Sequence, residues 1–348
     1  MAASYLKKGV AMGVSIDDVA AQAHVSTATV SRALRGLPRV SEPTRAKVLA
    51  VAKSMGYVAS PSARGLASGR TRTVGVLVPY VDRWYFGHAI EGIDQVLRDN
   101  GYNLLLFSLG GYVHGTKRSF TESMVRKQID ALLVLSLGLS PEELRQLHTT
   151  DIPLMSVGGP VEGCSGIYID DVAAASAATE HLIALGHRRI GYLRGGVQDE
   201  QNFKVPALRT VGFEASMARA ELSLHPEWNV PGDFTVAEGV RAAAGIFDLA
   251  GPNPTAIFCG SDEMALGLLF EAQRRGIRVP EELSVVGIDD HDFSKAAGLT
   301  TIAQNPWEHG RAAATIVLSE LDGKKEPQKK PYMPFELVVR NTTAPPMS

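Results

Sequence analysis

Val14-Ser-Ile-Asp-Asp-Val-Ala-Ala-Gln-Ala-His-Val-Ser-Thr-Ala-Thr-Val-Ser-Arg32 holds two short amphipathic segments separated by a tight turn. Ser15 is placed to cap a first helix, with Asp18 three residues on as the capping-box acid. Ile16, Val19, Ala20 and Ala23 then share one face, which predicts a helix over 16–23. His24-Val25 supplies the turn and Ser26 a second cap. In the helix that follows, Val30 with Ala33 or Leu34 faces inward, while Thr27, Ala28, Ser31 and Arg32 point outward. Beyond a loop containing Gly36 and Pro38, Ser41-Glu42-Pro43 opens a third helix, because proline is tolerated in a first turn. Val48, Val51, Ala52 and Met55 give it a buried stripe before Gly56 ends it. Two short helices about a tight turn, closed by a third, make a helix-turn-helix module.

Charge separates this module from the rest of the 348 residues. Residues 1–72 carry 11 Lys/Arg against 3 Asp/Glu, and the remainder 24 against 34, so a total of −2 conceals a basic front and an acidic body. A compact positive segment suits phosphate binding, although a solvated basic face gives the same count. Length predicts two or three folded units. The two cysteines, Cys164 and Cys259, form no C-x-x-C pair, so neither a zinc knot nor a disulfide framework is expected. No apolar run reaches the roughly 20 residues of a membrane span, and no secretory-type apolar stretch follows Lys7 and Lys8, which predicts a cytoplasmic protein.

The stretch 14–32, with Val40-Ser41, Gly56-Tyr57 and Ala63-Arg-Gly-Leu-Ala67, resembles the headpiece of the lactose/galactose repressor (LacI/GalR) family. The resemblance implies that Thr27, Ala28 and Arg32 read base edges of double-stranded operator DNA from the major groove. It also implies that Ser26, Thr29 and Ser31 meet phosphates, although Ser26 equally reads as an ordinary N-cap. The residue types agree: an Arg fork matches O6 and N7 of guanine, and Ala and the Thr methyl can meet a thymine methyl. Residues 59–72 read as a polar, basic linker. The resemblance implies a hinge helix formed on DNA, with Leu66 wedged into the minor groove; packing of Leu66 on the body is the plainer alternative.

From Thr73 onward, apolar runs of strand length (74–78, 104–107, 131–135, 154–157, 190–193, 256–259 and 285–288) alternate with helical periodicities such as 87–100, 172–185, 208–220, 236–249 and 263–275. That alternation predicts parallel sheets covered by helices on both faces, enough for two units. The expected organisation is a tail (1–13), an all-α helix-turn-helix domain (14–58), a hinge (59–72) and an α/β body (73–348). The body should form two similar parallel-sheet lobes, about 73–169 with 303–330 and about 170–302 with 331–348. Pro79, Asn100-Gly101-Tyr102, Leu185-Gly186-His187, Gly212-Phe213, Ser261-Asp262 and Val279-Pro280 resemble the same family's body, which is periplasmic-binding-protein-like.

By that resemblance Tyr85, Phe86, Arg209, Phe234 and Asp289 would contact a small-molecule effector between the lobes. Asp and Arg can each engage adjacent hydroxyls while aromatic rings cover C–H faces, so a sugar is the favoured class, with a nucleoside or other metabolite behind it. Each residue also has a structural reading: Tyr85 and Phe86 as core, Arg209 paired with a carboxylate, Asp262 and Asp290 as helix caps. No P-loop, H-E-x-x-H, G-x-S-x-G or strand-linked G-x-G-x-x-G occurs, and His181 and His187 are six apart, so neither catalysis nor a bound metal or cofactor is expected. The segment after Arg340 has no leucine heptad, which favours a homodimer over a tetramer. The expected activity is that of a transcriptional repressor released from a palindromic operator by its effector. A corepressor-dependent regulator, a sugar receptor and an α/β enzyme are the alternatives.

Overall fold

The computed structural model describes residues 14–57, 70–110, 119–196, 203–324 and 332–347. They fall into two compact units divided between Thr71 and Arg72.

The first unit is three helices: α1 (Ile16–Ala23), α2 (Thr27–Leu34) and α3 (Glu42–Ser54). The Ser15–Asp18 capping box forms in both directions and starts α1. His24 takes φ 55°, the left-handed conformation that reverses the chain toward α2. Val19, Ala20, Ala23, Val30, Ala33, Val48 and Ala52 close a small core, with Leu34, Val51 and Met55 packed at its margin. Only small and β-branched side chains fill its centre, so the three helices approach closely and the outer face of α2 stays clear.

The second unit is α/β. Its elements in chain order are β1 (Thr73–Val78), α4 (Trp84–Asp99), β2 (Asn103–Ser108), α5 (Glu122–Val125), β3 (Ala131–Leu135), α6 (Pro141–His148), β4 (Leu154–Val157) and β5 (Ser165–Ile167). There follow α7 (Asp171–Ala184), β6 (Ile190–Gly195), α8 (Val205–Arg219), β7 (Asn229–Gly232), α9 (Val236–Phe247), β8 (Ala256–Cys259), α10 (Asp262–Arg275), β9 (Ser284–Asp289), α11 (Ser294–Ala297), β10 (Thr300–Ala303), α12 (Pro306–Leu321) and β11 (Glu336–Val338). One sheet runs β2-β1-β3-β4-β5, all parallel. The other runs β11-β10-β9-β8-β6-β7 and is parallel except for β11, which pairs antiparallel with β10. Counted from its own first strand, the first lobe has the order 2-1-3-4-5 and the second 2-1-3-4-5-6, each with a switch point where strand order reverses. Ligands in such sheets gather at the carboxyl ends of the strands beside that point.

Apolar side chains cover both faces of each sheet, giving two cores per lobe. The chain crosses between lobes near residues 168–170, again near 303–305 when α12 packs on α4, and returns through Met333–Phe335 to β11. The α4–α12 contact depends on glycine: a Cβ on Gly92 would lie 2.0 Å from the Trp307 carbonyl oxygen, and one on Gly310 would lie 2.0 Å from that of Ala89.

Two sequence expectations need correction. Helix α4 begins before the 87–100 periodicity: Trp84-Tyr85-Phe86 is its first turn, and the buried stripe Phe86, Ala89, Ile93, Leu97 runs unbroken from it. Asp262 and Asp290 do not cap helices. Ser261 caps α10 by accepting from the Met264 amide, Asp262 lies buried beneath the loop after β9, and Asp290 pairs with Arg340 at 2.5 Å.

Candidate operator-reading helix and effector cleft

Helix α2 presents Thr27, Ala28 and Arg32 to solvent, with Thr29 and Ser31 half-buried beside them. Arg32 has no hydrogen-bond or ion-pair partner among the described residues, whereas Arg35 is folded back onto the Ser31 carbonyl at 3.2 Å. The Ser26 hydroxyl accepts from the Thr29 amide at 3.2 Å and lies 2.9 Å from the Thr29 hydroxyl. Its capping role is therefore met within the helix. Leu66 lies outside the described residues.

In the second unit, Tyr85, Phe86, Arg209, Phe234 and Asp289 all line one cavity of about 130 Å³ between the lobes. Tyr80, Arg83, Trp84 and Ser136 complete the wall of the first lobe. Phe203, Asp233, Ser261 and Glu263 complete that of the second, and Gln304 enters from the crossing segment. Carboxyl ends of β1, β6, β8 and β9 all open here, as the shared strand order requires.

The aromatic residues are fixed before any ligand arrives. The Tyr85 hydroxyl lies 3.0 Å from His309 Nδ1, and burial pushes the Tyr85 phenol well above its usual range. Burial likewise pulls the His309 imidazole down to about 4, so at neutral pH it is uncharged. Phe86 is both wall and core, 8% exposed and edge-on to Tyr85. Phe234 sits at φ 51° with its ring over Gly195, where any Cβ would collide with it, and edge-on to Phe203.

Charge at the cavity floor is paired but costly. Arg209, 5% exposed, donates from Nε to Asp171 Oδ1 at 2.8 Å and from Nη1 to the Gly260 carbonyl at 2.5 Å. Desolvation opposes its charge, but the carboxylates of Asp171 and Asp289 outweigh it and hold the guanidinium protonated. Burial pushes Asp171 upward against Arg209, and its Oδ2 has no partner among the described residues. The Asp289 carboxyl is raised to about 7, chiefly by burial and against the pull of Arg209; the charge of Asp262 adds to the rise and a 2.6 Å bond from Gln304 Nε2 offsets part of it. Asp262 is itself lifted to about 6 by burial, although it accepts from Ser294 Oγ, Thr301 Oγ1 and the His291 amide. A buried carboxylate held above its ordinary range gains from any ligand that donates hydrogen bonds to it.

Sequence reading missed Arg83, Asp233, Glu263 and Gln304. Arg83 and Asp233 each adjoin a residue singled out for its aromatic ring, but neither carries a periodic signal. Gln304 follows β10, a four-residue strand that reads Thr-Thr-Ile-Ala. Among the described residues no group of His, Cys, Asp or Glu could hold a metal ion, and no helix is long and apolar enough to cross a membrane. His181 and His187 are both engaged by hydrogen bonds. They pin the C-terminal segment, at Thr343 and at the Ala344 carbonyl.

Residues 15–60 match the model of bacterial regulatory proteins of the lacI family, and residues 179–343 match a periplasmic binding protein-like domain. The chain is 35% identical over 335 residues to the HTH-type transcriptional repressor CytR of Escherichia coli (strain K12), covering 94% of this chain and 96% of that one. In structure it is similar to the lac repressor dimer bound to operator and the anti-inducer ONPF, with a TM-score of 0.82, 25% identity, and coverage of 96% and 100%. It is also similar to a complex of the transcriptional regulator CelR with cellobiose, with a TM-score of 0.68, 26% identity, and coverage of 94% and 99%. A helix-turn-helix headpiece with a clear second helix, and a two-lobed body around a cavity, are thus matched along nearly the whole chain by transcriptional repressors, and the chain belongs to the LacI family of bacterial regulatory proteins.

Proposed function

We propose that this repressor acts in the cytoplasm as a homodimer on a two-fold operator, and that a neutral polyhydroxylated molecule, a sugar or sugar derivative, releases it. In this reading Thr27, Ala28 and Arg32 read bases, Ser26, Thr29 and Ser31 lie against phosphates, and Leu66 wedges the central minor-groove step. Tyr85, Phe86, Arg209, Phe234 and Asp289 hold the effector. The observation that carries the effector class is the cavity floor, where Asp289 and Arg209 stand side by side under a wall of aromatic rings. The guanidinium groups of Arg83 and Arg209 are already engaged, by the Asp233 and Phe234 carbonyls and by Asp171, so an anionic ligand finds no uncommitted cation among the lining residues. The similar CelR structure holds cellobiose, which has the same hydroxyl-rich chemistry.

The switch is a linkage: an effector that binds one lobe arrangement better than the other shifts the dimer between operator-competent and operator-incompetent states. A thermal-shift screen against neutral sugars, sugar phosphates and nucleosides tests the class, because a ligand specific for the folded state raises its apparent stability. Stabilisation by neutral sugars that is lost in Asp289→Ala, with operator binding kept, supports the reading. Stabilisation by sugar phosphates alone contradicts it.

A further inference from the structure

The start of one helix carries a group of contacts between the two lobes. Arg83, immediately before α4, reaches across the cleft and donates from Nη1 to the Asp233 carbonyl at 3.1 Å and to the Phe234 carbonyl at 2.9 Å. Its Nη2 lies 3.6 Å from the Asp233 carboxylate, and its guanidinium rests 4.8 Å from the centre of the Tyr80 ring. Trp84, next in sequence, lays its ring 5.1 Å from that of His291 in the other lobe. His88, one turn on, places Nε2 3.5 Å from Asp292. These contacts with the second lobe all leave from positions 83, 84 and 88, and they frame Tyr85 and Phe86 at the cavity.

Arg83 differs from the others in what it grips. Its side chain is 14% exposed, and its two hydrogen bonds fall on consecutive backbone carbonyls where Phe234 takes φ 51°. A non-glycine residue in that conformation needs its surroundings to hold it. The Asp233 carboxylate is a looser partner, 42% exposed and beyond hydrogen-bond distance. One guanidinium nitrogen bound to two consecutive carbonyls, with the planar group resting on the Tyr80 ring, fixes the orientation of the loop.

We propose that Arg83 is a positioning residue that clasps the second lobe by the Asp233–Phe234 backbone, holding the cleft closed and aiming the Phe234 ring into it. The clasp rests on the reading of this cleft as the effector site, but its test needs no effector. Hydrogen–deuterium exchange of the full-length protein reports closure, because opening the cleft breaks the Arg83 bonds to the Asp233 and Phe234 carbonyls and exposes the two segments they join. Arg83→Met removes the charge-assisted bonds and is expected to speed exchange about tenfold or more in segments 83–87 and 233–237 together, leaving β8 unchanged. Asp233→Asn keeps both carbonyls and should exchange like the wild type. Arg83→Lys should recover part of the protection, because an ammonium can donate to the same carbonyls but lacks the planar group that rests on the Tyr80 ring. Unchanged exchange in Arg83→Met, or an Asp233→Asn effect as large as that of Arg83→Met, overturns the clasp. A clasp that passes in a protein that no neutral sugar stabilises would leave the clasp standing and remove the effector reading.

Discussion

Replacing Asp289 with asparagine should stabilise the body, and by an amount that depends on pH. In the folded protein burial raises this carboxyl from 3.8 to about 7, so near pH 5 or 6 the native state holds a proton that the unfolded chain has released. A state that binds more protons loses stability as they become scarce, so the contribution of Asp289 declines as pH climbs through this window and levels off above about 7. Between pH 5 and pH 7 the change is two units, roughly 3 kcal/mol at about 1.4 kcal/mol per unit. Asparagine has the same shape, can keep an oxygen for Gln304 Nε2, and tolerates the backbone of this position, φ 138°, better than most residues.

Scanning calorimetry of both full-length proteins from pH 5 to pH 8 should therefore show the body transition of Asp289→Asn gaining on the wild type as pH rises. The gain should reach several degrees, given about 2–4 °C per kcal/mol for a domain of 150–250 residues. A pH-independent difference, or an asparagine variant less stable at pH 8, refutes the claim that this carboxylate is held at a cost. The cost makes sense if ligand hydroxyls offset it on binding, as stability is often given up at functional sites.

Other outcomes follow from the same geometry. Arg32→Ala should weaken binding to the cognate operator by about 1–3 kcal/mol and relax specificity at one position; an equal loss on random DNA would mean that Arg32 touches only phosphate. Ser26→Ala removes the cap of α2 and should cost the headpiece about 1 kcal/mol, read as a lower melting temperature of that unit. Gly310→Ala drives a methyl group to 2.0 Å from the Ala89 carbonyl and should destabilise the body by about 2 kcal/mol or more; a neutral result in denaturant titration would mean that α4 and α12 are free to part.

The headpiece was legible almost residue by residue because its determinants are local. A capping box, a 3.6-residue apolar stripe and a proline in a first turn each lie within a few positions of what they specify. The long central strands of the body were equally plain, as unbroken apolar runs buried on both faces. What escaped was set by distance along the chain. Strand β7 reads Asn-Val-Pro-Gly and is tolerated because it is an edge; β11 has three residues and pairs antiparallel with β10 after the chain has crossed between lobes three times. The first turn of α4 lay outside the 87–100 periodicity, yet Phe86 continues the stripe of the helix. Arg83 meets Phe234 across 151 positions, and Asp262 meets Thr301 across 39. No periodicity marks such partners, so the arrangement of charge at the cavity floor emerged only from the fold.

The central claim is that the basic headpiece grips an operator under the control of a metabolite held in the body. The most direct measurement pairs an operator obtained by in vitro selection from genomic fragments with an effector from the thermal-shift screen. Operator affinity is then measured with and without effector, and effector affinity with and without operator. The account predicts that effector lowers operator affinity and that operator lowers effector affinity by the same factor, since linkage is reciprocal. Operator affinity indifferent to every stabilising ligand, or a chain that selects no duplex at low salt, would contradict it.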